Sequence, residues 1–582
     1  MRTLRSAALW LLLGSAVAAS APSAPVRKPL TSANIDDIAQ LVMLEDTRRF
    51  DQDTLSRLIK SEHPEVRRRA VVSVGRIVKD GARQLLVTAR TDADPEIVAT
   101  VAWASGQQKD PGAVAWLADL LSAASTPAAV AKEAAGALGK IRSPEARAAL
   151  ATFLSNAPAT PRSSLAVGEA LLAFGRFPLP GDVTPILRWT TSPDVEVRWR
   201  AAWALFRPRD PAATPHLLKM SEDKSGEVRS WAVRGLTAAL SDAAKIDRAT
   251  TSARLREATR DPDRRVRTEA LRVLGGYDDD ASFAIVLAAL DSPDSWISVT
   301  AAESMARLKD RAAVIVPRLV AASAATRPTA LRITALAPLV ALGPEAAIEP
   351  AAALMREPST AAKSAANAAL GRLGGPGRAK LDAMAADPAT REFLPPPPAA
   401  RTPRPAEPAR TLADYRAIVE RWIVTAYNGA RPPHTVWTTP KGQIEIELYP
   451  GDAPLGLEEL VRLVESGSIV GTEFSRVVAD FVDQQATIRD ARLLRDEVNR
   501  HGLTRANLAW ASAGLDTGRP GYTLGNTPQP HNEGDFTALG RVIKGMDVVD
   551  RIELGDKVTA ARMLGSGLTS KRPSPQVRDA SM

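Results

Sequence analysis

The sequence predicts a multidomain protein, in which an all-α solenoid is followed by a smaller domain of mixed strands and helices. Three observations carry this prediction. A repeat with a period of 31–38 residues extends over 30–390, a proline-rich stretch interrupts the chain at 391–410, and an alternation of apolar and polar residues begins after it. Since the chain has 582 residues, more than one domain is expected.

Each clear copy of the repeat opens with a short helix-start motif. Asp or Ser before Pro predicts a helix N-cap with Pro in the first turn, and the residues that follow have helical periodicity. One helix pair cannot bury its apolar face alone, so stacked pairs that share a continuous core are expected. The clearest copies are 63–67 (HPEVR), 192–198 (SPDVEVR), 225–229 (SGEVR), 261–267 (DPDRRVR) and 292–297 (SPDSWI), and the apolar anchors are Val66, Ile97, Val130, Leu165, Val197, Val228, Val266, Ile297 and Leu331.

These copies resemble HEAT repeats in their D/S-P-x-x-V-R opening and their A-x-x-A-L-G ending. The resemblance implies a protein partner bound along one face of the solenoid. The recurring Asp and Arg residues are expected to cap helices and to form ion pairs between neighbouring repeats. Seven tryptophans are either exposed partner contacts or part of the core between repeats: Trp103, Trp116, Trp189, Trp199, Trp203, Trp231 and Trp296.

The last third of the chain has a different pattern. A connecting helix is predicted at 411–432 and a mixed domain at 433–562. Residues 444–448 (IEIEL) alternate between apolar and polar, which predicts a strand, whereas 457–465 (LEELVRLVE) has helical periodicity. The polar residues at 563–582, rich in Gly, Ser and Pro, predict a disordered tail.

Three segments of this domain, in their order along the chain, resemble the cyclophilin family of peptidyl-prolyl cis-trans isomerases. They are 441–449 (KGQIEIELY), 471–484 (GTEFSRVVADFVDQ) and 539–550 (LGRVIKGMDVVD). The resemblance implies a closed barrel, isomerase activity on proline-containing polypeptides, and no cofactor. The predicted fold class is therefore an all-α HEAT-like solenoid followed by a mainly-β cyclophilin-like closed barrel.

Isomerisation of an X-Pro bond needs a cation and an apolar pocket. Amide resonance opposes the rotation with a barrier of about 18–20 kcal/mol, and a catalyst must bind the twisted amide more tightly than either planar form. Arg supplies a permanently charged donor for the lone pair that twisting localises on the prolyl nitrogen, while the pocket holds the ring. The family resemblance assigns the cation to Arg476, braced by Gln484, and part of the pocket to Phe481 and Val482.

The resemblance also assigns further substrate-binding residues, which depart from the family pattern. Ser512 stands for an Asn, His531 for a Trp and Leu539 for a Phe, whereas of two family aromatic residues the first stays aromatic as Tyr522 and the second becomes Thr523. The changes at Ser512 and Thr523, with Gly521 in place of a Gln, thin the pocket, so two functions stay open. One is an exported isomerase that assists protein folding, and the other is a catalytically weakened or inactive scaffold that binds peptides.

The amino terminus has the pattern of a secretory signal peptide at 1–18. Arg2 and Arg5 flank the start of an apolar stretch at 7–14, and 16–18 (AVA) fits a cleavage site. The protein is therefore expected to be exported, to the periplasm or outside the cell, with an uncleaved anchor as the alternative. No later apolar run is long enough to predict a stable membrane span.

Composition excludes several other functions. Cys is absent, so neither disulfides nor thiol catalysis are expected. The five His residues are scattered singly, which predicts no metal site. The formal net charge of +9 arises from interspersed Lys, Arg, Asp and Glu without a dense basic block, so no nucleic acid partner is expected, and the signal peptide argues against one too.

Overall fold

The computed structural model describes residues 27–79, 81–178, 182–394, 409–488, 491–518 and 521–565. The predicted signal peptide at 1–18 lies outside the described residues. Residues 395–408 of the predicted linker and 566–582 of the predicted tail lie outside them as well.

Helices occupy the described chain from Ser32 to Arg391. None of the described helices is long and apolar enough to cross a bilayer. Short 3-10 turns are found at Pro111–Ala113, Pro211–Ala213, Ala289–Asp291, Lys309–Arg311 and Glu345–Ala347. In chain order the helices are α1 (Ser32–Thr47), α2 (Gln52–Ile59), α3 (Pro64–Arg76), α4 (Ala82–Ala89), α5 (Pro95–Gln107), α6 (Val114–Ser122), α7 (Ala128–Ile141), α8 (Pro144–Asn156), α9 (Pro161–Phe174), α10 (Thr184–Leu187), α11 (Val195–Phe206), α12 (Thr214–Met220), α13 (Gly226–Val233), α14 (Ala238–Ala243), α15 (Arg248–Ala258), α16 (Arg264–Leu274), α17 (Asp280–Ala288), α18 (Ser295–Met305), α19 (Ala312–Ala322), α20 (Thr329–Leu342), α21 (Ile348–Leu354), α22 (Thr360–Arg372), α23 (Gly375–Ala386) and α24 (Pro388–Arg391).

These helices stack in two layers, as expected for a solenoid. The inner layer consists of α3, α5, α7, α9, α11, α13, α16, α18, α20 and α22, each packed on the next. Most of the remaining helices form an outer layer behind it. Each inner helix packs on its neighbours in the stack, and one apolar core extends through the middle of the array, from α5 to α20.

Aspartates at the start of the inner helices explain where these helices begin. The carboxylate of Asp94 accepts a hydrogen bond from the N–H of Glu96 at 2.9 Å, and Asp194 caps α11 in the same way. In the Ser-Pro-Asp copies the predicted cap at the Ser is wrong. The cap is the Asp after the proline, because its carboxylate reaches the free N–H groups of the first turn.

The predicted ion pairs between repeats are confirmed. The Arg that follows an apolar anchor pairs with an Asp of the next repeat: Arg67 with Asp92 at 2.7 Å, Arg198 with Asp223 at 2.8 Å and Arg229 with Asp261 at 2.7 Å. Each of these arginines also donates to the carbonyl six residues before it. One side chain thereby ties its helix both to the preceding turn and to the next repeat.

Tryptophans and small residues fill the space between repeats. Six of the seven candidate tryptophans are at most 4% exposed and Trp116 is partly buried, so they belong to the core and not to a partner surface. At Gly139 an added Cβ would lie 2.7 Å from the Cα of Ala173, so only Gly allows this approach. One predicted anchor is wrong by one position, since Leu165 is exposed and Ala166 is buried in its place.

A helical segment connects the solenoid to the second domain. It consists of α25 (Leu412–Ile418), a π-helical turn (Val419–Val424) and α26 (Thr425–Tyr427). On one side it packs on α1, where the hydroxyl of Tyr415 donates to Asp46 at 2.7 Å. On the other side the indole N–H of Trp422 donates at 2.7 Å to Glu458, on the helix α27 (Pro454–Glu465) of the second domain.

The second domain is an eight-stranded antiparallel sheet that curls into a barrel, with α27 and α28 (Met546–Val549) beside it. The strands are β1 (His434–Thr439), β2 (Gly442–Leu448), β3 (Phe474–Val478), β4 (Val482–Gln485), β5 (Asn507–Trp510), β6 (Tyr522–Gly525), β7 (Ala538–Lys544) and β8 (Ala560–Leu564), in the order β3-β4-β6-β5-β7-β2-β1-β8. The segments before the two edge strands close the sheet, for example through a hydrogen bond from the N–H of Gly471 to the carbonyl of Val558 at 2.7 Å. The predicted fold class is confirmed.

The barrel packs against the inner layer, and Arg76 at the end of α3 is at the centre of this contact. Its buried guanidinium donates to the barrel carbonyls of Asp452, Glu497 and Val498, at 2.6, 3.1 and 3.0 Å. The carboxylate of Glu45 on α1 pairs with it at 2.6 Å. A buried ion pair of the solenoid is therefore completed by main-chain atoms of the barrel.

Further polar contacts with the barrel extend from the first helix of the solenoid to α22. Examples along the array are Arg48 to Asp516 at 2.5 Å, Gln107 to the carbonyl of Gly534 at 2.9 Å, Arg176 to the carbonyl of Pro530 at 2.6 Å, Arg264 to the carbonyl of Asp550 at 2.5 Å, Arg272 to the carbonyl of Ala479 at 3.0 Å and the N–H of Thr360 to Glu473 at 3.0 Å.

The solenoid curves around the barrel to make these contacts. Packed helices lie about 8–10 Å apart, so ten inner helices in a straight row would extend over about 80 Å. A domain of about 130 residues has a radius of gyration of only about 14 Å. Because this one barrel contacts residues near both ends of the row, the inner layer is concave.

We expect Arg76→Met to destabilise the protein by about 3–5 kcal/mol, because Glu45 and three barrel carbonyls lose a buried cation. Urea unfolding followed by circular dichroism measures the change. The control is Arg57→Met, which removes an exposed pair with Asp37 and should cost less than about 1 kcal/mol. Equal losses in the two variants would contradict the central role of Arg76 in docking.

Candidate active site

A row of side chains crosses the outer face of five neighbouring strands. Arg476 on β3 is opposite Gln484 on β4, and Gln484 is opposite Thr523 on β6. The row continues from Thr523 to Ala509 on β5 and then to Ala538 on β7. Residues directly opposite on antiparallel strands share one face of the sheet, with Cα atoms about 4.5–5.5 Å apart. The row therefore lies on one face of the sheet, and we refer to this face as the groove.

Phe481 and His531 form an aromatic wall next to β4. Their rings stack with centres 5.8 Å apart and planes inclined by 19°. The guanidinium carbon of Arg476 lies 5.4 Å from the centre of the Phe481 ring. Arg476 is exposed and has no ion pair with any described residue. An unpaired guanidinium beside an apolar ring suits a site that holds a proline ring next to a donor.

The turn between β3 and β4 is held by the solenoid. Asp480 in this turn has a φ of +55°, a left-handed conformation that Asp tolerates better than most residues. Its carboxylate accepts hydrogen bonds from Arg234 at 2.7 Å and from the hydroxyl of Ser230 at 2.9 Å. Because Asp480 directly precedes Phe481, contacts with the solenoid position one ring of the aromatic wall.

The solenoid also surrounds the loop that carries His531. Arg176 donates to the carbonyl of Pro530, the preceding residue, at 2.6 Å. Partial desolvation of the ring, together with the charges of Arg207, Arg176 and Arg234, lowers the pKa of His531 from 6.5 to about 4, although the residue as a whole is exposed. His531 is therefore neutral at pH 7 and offers an aromatic face instead of a charge.

Two predicted substrate-binding residues lie inside the barrel and not in the groove. Tyr522 is fully buried and stacks on Trp510, with ring centres 4.7 Å apart. Leu539 is fully buried in the same core. Successive side chains of a strand point to opposite faces, so the neighbours of the outward-facing Thr523 and Ala538 must point inward. The prediction that Tyr522 and Leu539 contact a peptide is wrong.

Gln484, Val482 and Thr523 lie on the groove face of their strands. Val482 is buried, whereas Gln484 and Thr523 are half-buried. The side-chain amide of Gln484 makes no hydrogen bond to the described residues, so the predicted bracing of Arg476 is absent here although the two residues are directly opposite. The hydroxyl of Thr523 donates to the carbonyl of Ala509 at 3.4 Å.

Ser512 lies in the loop after β5, and its hydroxyl is engaged within that loop. It donates to the carbonyl of Gly514, accepts a hydrogen bond from the N–H of the same residue at 3.1 Å, and lies 3.1 Å from the hydroxyl of Thr517. These bonds hold the local turn. A peptide could use the Ser512 hydroxyl only by competing with them.

An apolar cluster adjoins Thr523 and has no counterpart among the predicted site residues. Its buried members are Leu503, Ala509 and Ala538, with Tyr449 and Phe536 packed against them. Ala509 is directly opposite Thr523, the residue that stands in place of a family aromatic. The cluster therefore continues the apolar surface on the far side of Thr523. The sequence of β5 (NLAW) does not alternate between apolar and polar residues, so the outward position of Ala509 follows only from the strand pairing.

The site contains what isomerisation requires and no metal centre was found beside it. Among the described residues, no group of three or more His, Asp and Glu side chains could hold a metal ion. The groove combines an exposed cation, an aromatic wall and an apolar floor. Such a site can bind a prolyl peptide and donate a hydrogen bond, without proton transfer or a covalent step.

Comparison with known families agrees with this site. The family described as cyclophilin type peptidyl-prolyl cis-trans isomerase matches residues 434–577. The HEAT-repeat family matches residues 52–129, 89–168, 167–237 and 251–322. The two families thus match the barrel and most of the solenoid respectively.

Individual relatives match the barrel alone. A peptidyl-prolyl cis-trans isomerase of Helicobacter pylori is 32% identical over 139 residues, which are 22% of this chain and 84% of that protein. Peptidyl-prolyl cis-trans isomerase B of Bacillus subtilis is 31% identical over 135 residues, 21% of this chain and 92% of that protein. A crystal structure of a cyclophilin type isomerase from Cryptosporidium parvum has 17% identity and a TM-score of 0.21, and it covers 23% of this chain and 98% of that one.

The class of protein follows from these matches: a HEAT-repeat protein with a carboxy-terminal prolyl isomerase domain. The chain belongs to the cyclophilin-type peptidyl-prolyl cis-trans isomerases. Its barrel is the isomerase domain.

We expect the imidazole of His531 to titrate with a pKa of about 4. Nuclear magnetic resonance can follow it directly, because the chain has only five His residues and the variant His531→Gln assigns the signal. Arg207→Gln should raise this pKa towards 6.5, since it removes one of the nearby positive charges. A pKa at or above 6.5 in the native protein would contradict the crowded, positively charged surroundings described for this ring.

Proposed function

We propose that the protein is an exported isomerase that assists the folding of proline-containing polypeptides, with Arg476 as its catalytic cation. The observation that carries the proposal is the exposed guanidinium of Arg476, without an ion pair in the described chain and 5.4 Å from the Phe481 ring. Membership of the cyclophilin-type family supports the reaction. The residue pattern at 1–18 supports export to the periplasm or beyond the cell.

The proposed mechanism depends on a charge interaction that strengthens as the amide twists. An extended peptide binds along the groove with its proline ring against the aromatic wall. Rotation about the X-Pro bond localises a lone pair on the prolyl nitrogen, and Arg476 donates a hydrogen bond to it. Since this lone pair is unavailable in the planar amide, the interaction stabilises the transition state more than either ground state. The apolar floor beside Thr523 retains part of the pocket.

The solenoid has a supporting role in this proposal. It holds the turn before Phe481 through Asp480 and the loop before His531 through Pro530. Both rings of the aromatic wall are thereby fixed before a substrate arrives, which reduces the entropy that binding must overcome. The polypeptide partner of the solenoid is then the client that occupies the groove, bound where the inner layer borders it.

Arg476→Ala should reduce the exchange rate of prolyl peptides by about 100-fold or more, because it removes the donor that stabilises the twisted amide. Nuclear magnetic resonance exchange on a panel of X-Pro peptides measures the rate. The fold should be unchanged, since the Arg476 side chain is exposed and has no hydrogen bond or ion pair with the described residues. Arg551→Ala, which removes an exposed pair with Asp547, is the matched control and should keep full activity.

If the folded native protein does not accelerate exchange for any peptide of the panel, the isomerase proposal fails. A peptide-binding scaffold would then explain the groove better, in line with Thr523 and the engaged hydroxyl of Ser512. If Arg476→Ala remains fully active, isomerisation occurs without this cation and its proposed role is wrong.

Export makes a separate prediction. Protein recovered from the periplasm or the medium of the cells that produce it should begin at Ala19, the residue after the predicted cleavage site, and mass spectrometry of the intact chain can measure this. A chain that keeps Met1 and remains in the cytoplasm would refute the export proposal without affecting the isomerase proposal.

A further inference from the structure

Three cations of the solenoid lie in a row opposite the aromatic wall. Arg176 follows the carboxyl end of α9 by two residues, while Arg207 and Arg234 directly follow α11 and α13. These three helices are consecutive members of the inner layer and pack on one another. Arg207 is thus the middle cation of the row.

The two outer cations of this row are bound to the residues that precede the aromatic wall. Arg176 donates to the carbonyl of Pro530, next to the imidazole ring, and Arg234 pairs with Asp480, next to the phenyl ring. The middle position therefore faces the stacked rings themselves. Arg207 is exposed there, and its side chain has no hydrogen bond or ion pair with any residue that the structure describes.

The positive charge of Arg207 acts on His531. Among the positive charges that help to lower the pKa of His531, that of Arg207 has the greatest effect. The influence of Arg176 and Arg234 is smaller, and both have carboxylate partners of their own at 3.2 and 2.7 Å. Arg207 therefore lies between two cations that hold the loops of the aromatic wall, and it has no ion-pair partner among the described residues.

A simpler role for Arg207 also exists, because a cation at the carboxyl end of a helix stabilises that helix. This role accounts for the charge after α11. It does not account for the position of Arg207 between two contacts that join the domains, nor for its lack of a partner beside the groove. The two roles predict different effects on substrates, so they can be separated.

We propose that Arg207 binds the carboxylate of an acidic residue near the proline of a bound peptide, so that the solenoid selects substrates for the isomerase. The inference depends on the groove assigned under the proposed function. Two cations without ion-pair partners among the described residues flank the aromatic wall: Arg476 from the barrel and Arg207 from the solenoid. Arg476 binds the prolyl amide in the proposed mechanism. Arg207 is therefore free to bind a second group of the substrate, and that group must carry a negative charge.

The acidic residue must be close to the proline in sequence. An extended peptide advances about 3.3 Å per residue, so side chains within two positions of the proline remain in the vicinity of the aromatic wall. Both Asp and Glu carry the required carboxylate, and the longer Glu side chain has the greater reach.

The test compares peptides that carry Glu or Gln at each of the two positions before and after the proline. We expect the native protein to isomerise at least one Glu peptide about two- to fivefold faster than its Gln counterpart, as for an exposed ion pair. The preference should decrease in high salt because the pair is screened. In Arg207→Gln it should disappear, while Gln peptides keep their native rate.

Two further variants separate substrate binding from a structural effect. Arg260→Gln removes another exposed cation that lies close after a helix, α15, and lacks a side-chain partner among the described residues, so it should keep the Glu preference. Arg207→Glu should reverse the preference in favour of Lys peptides. Loss of a helix-stabilising charge alone would lower the rates of all peptides together and would leave their ratio unchanged.

Failure of this inference differs from failure of the isomerase proposal. If the native protein is active but treats Glu and Gln peptides alike at every position, or if Arg207→Gln retains the preference, the role of Arg207 is refuted and the isomerase remains. If the native protein is inactive, peptide affinity measured by fluorescence anisotropy replaces the rate. A Glu preference that needs Arg207 then supports the inference, and its absence overturns it.

Discussion

The relative placement of the two domains depends on buried cations that donate to main-chain carbonyls, above all on Arg76. A guanidinium offers several donors in one plane, and Arg76 directs them at Glu45 and at three carbonyls of the barrel. Every residue has a main-chain carbonyl. The contact with Arg76 therefore requires a particular backbone conformation of the barrel loops, but not particular side chains in them. Leaving such a cation without acceptors in the interface would be far more costly than leaving it in water, so docked arrangements in which these carbonyls miss Arg76 are disfavoured.

Because the two domains are docked in this way, residues of both domains determine the shape of the groove. The floor is made by five strands of the barrel, whereas the loops that carry the aromatic wall are held by Arg176 and Arg234 of the solenoid. A HEAT array usually presents its concave face to a separate protein. Here that face is largely engaged by the chain's own isomerase, and what remains available to a client is the border between the two.

Local patterns were sufficient to predict the solenoid, because caps and apolar anchors act within one helix. The residues around Arg476 and Phe481 were also accessible, since they share one short segment. Tyr522 and Leu539 were misplaced because the family pattern lacks the strand register, and a shift of one residue exchanges groove for core. The contact of Arg234 with Asp480 joins residues 246 positions apart, and no local pattern encodes such a pair.

Asp480 connects docking with the groove in energetic terms. A left-handed conformation costs a residue other than Gly about 1–2 kcal/mol, and at Asp480 the hydrogen bonds from Arg234 and Ser230 offset this cost. A barrel without the solenoid would lack these bonds, so the turn would relax and Phe481 would lose its fixed position. If docking of the solenoid raises the affinity of the groove for a peptide by some factor, binding of that peptide raises the docking equilibrium constant by the same factor, because linkage between two equilibria is reciprocal. The solenoid is therefore a structural part of the groove, and substrate binding and domain docking stabilise each other.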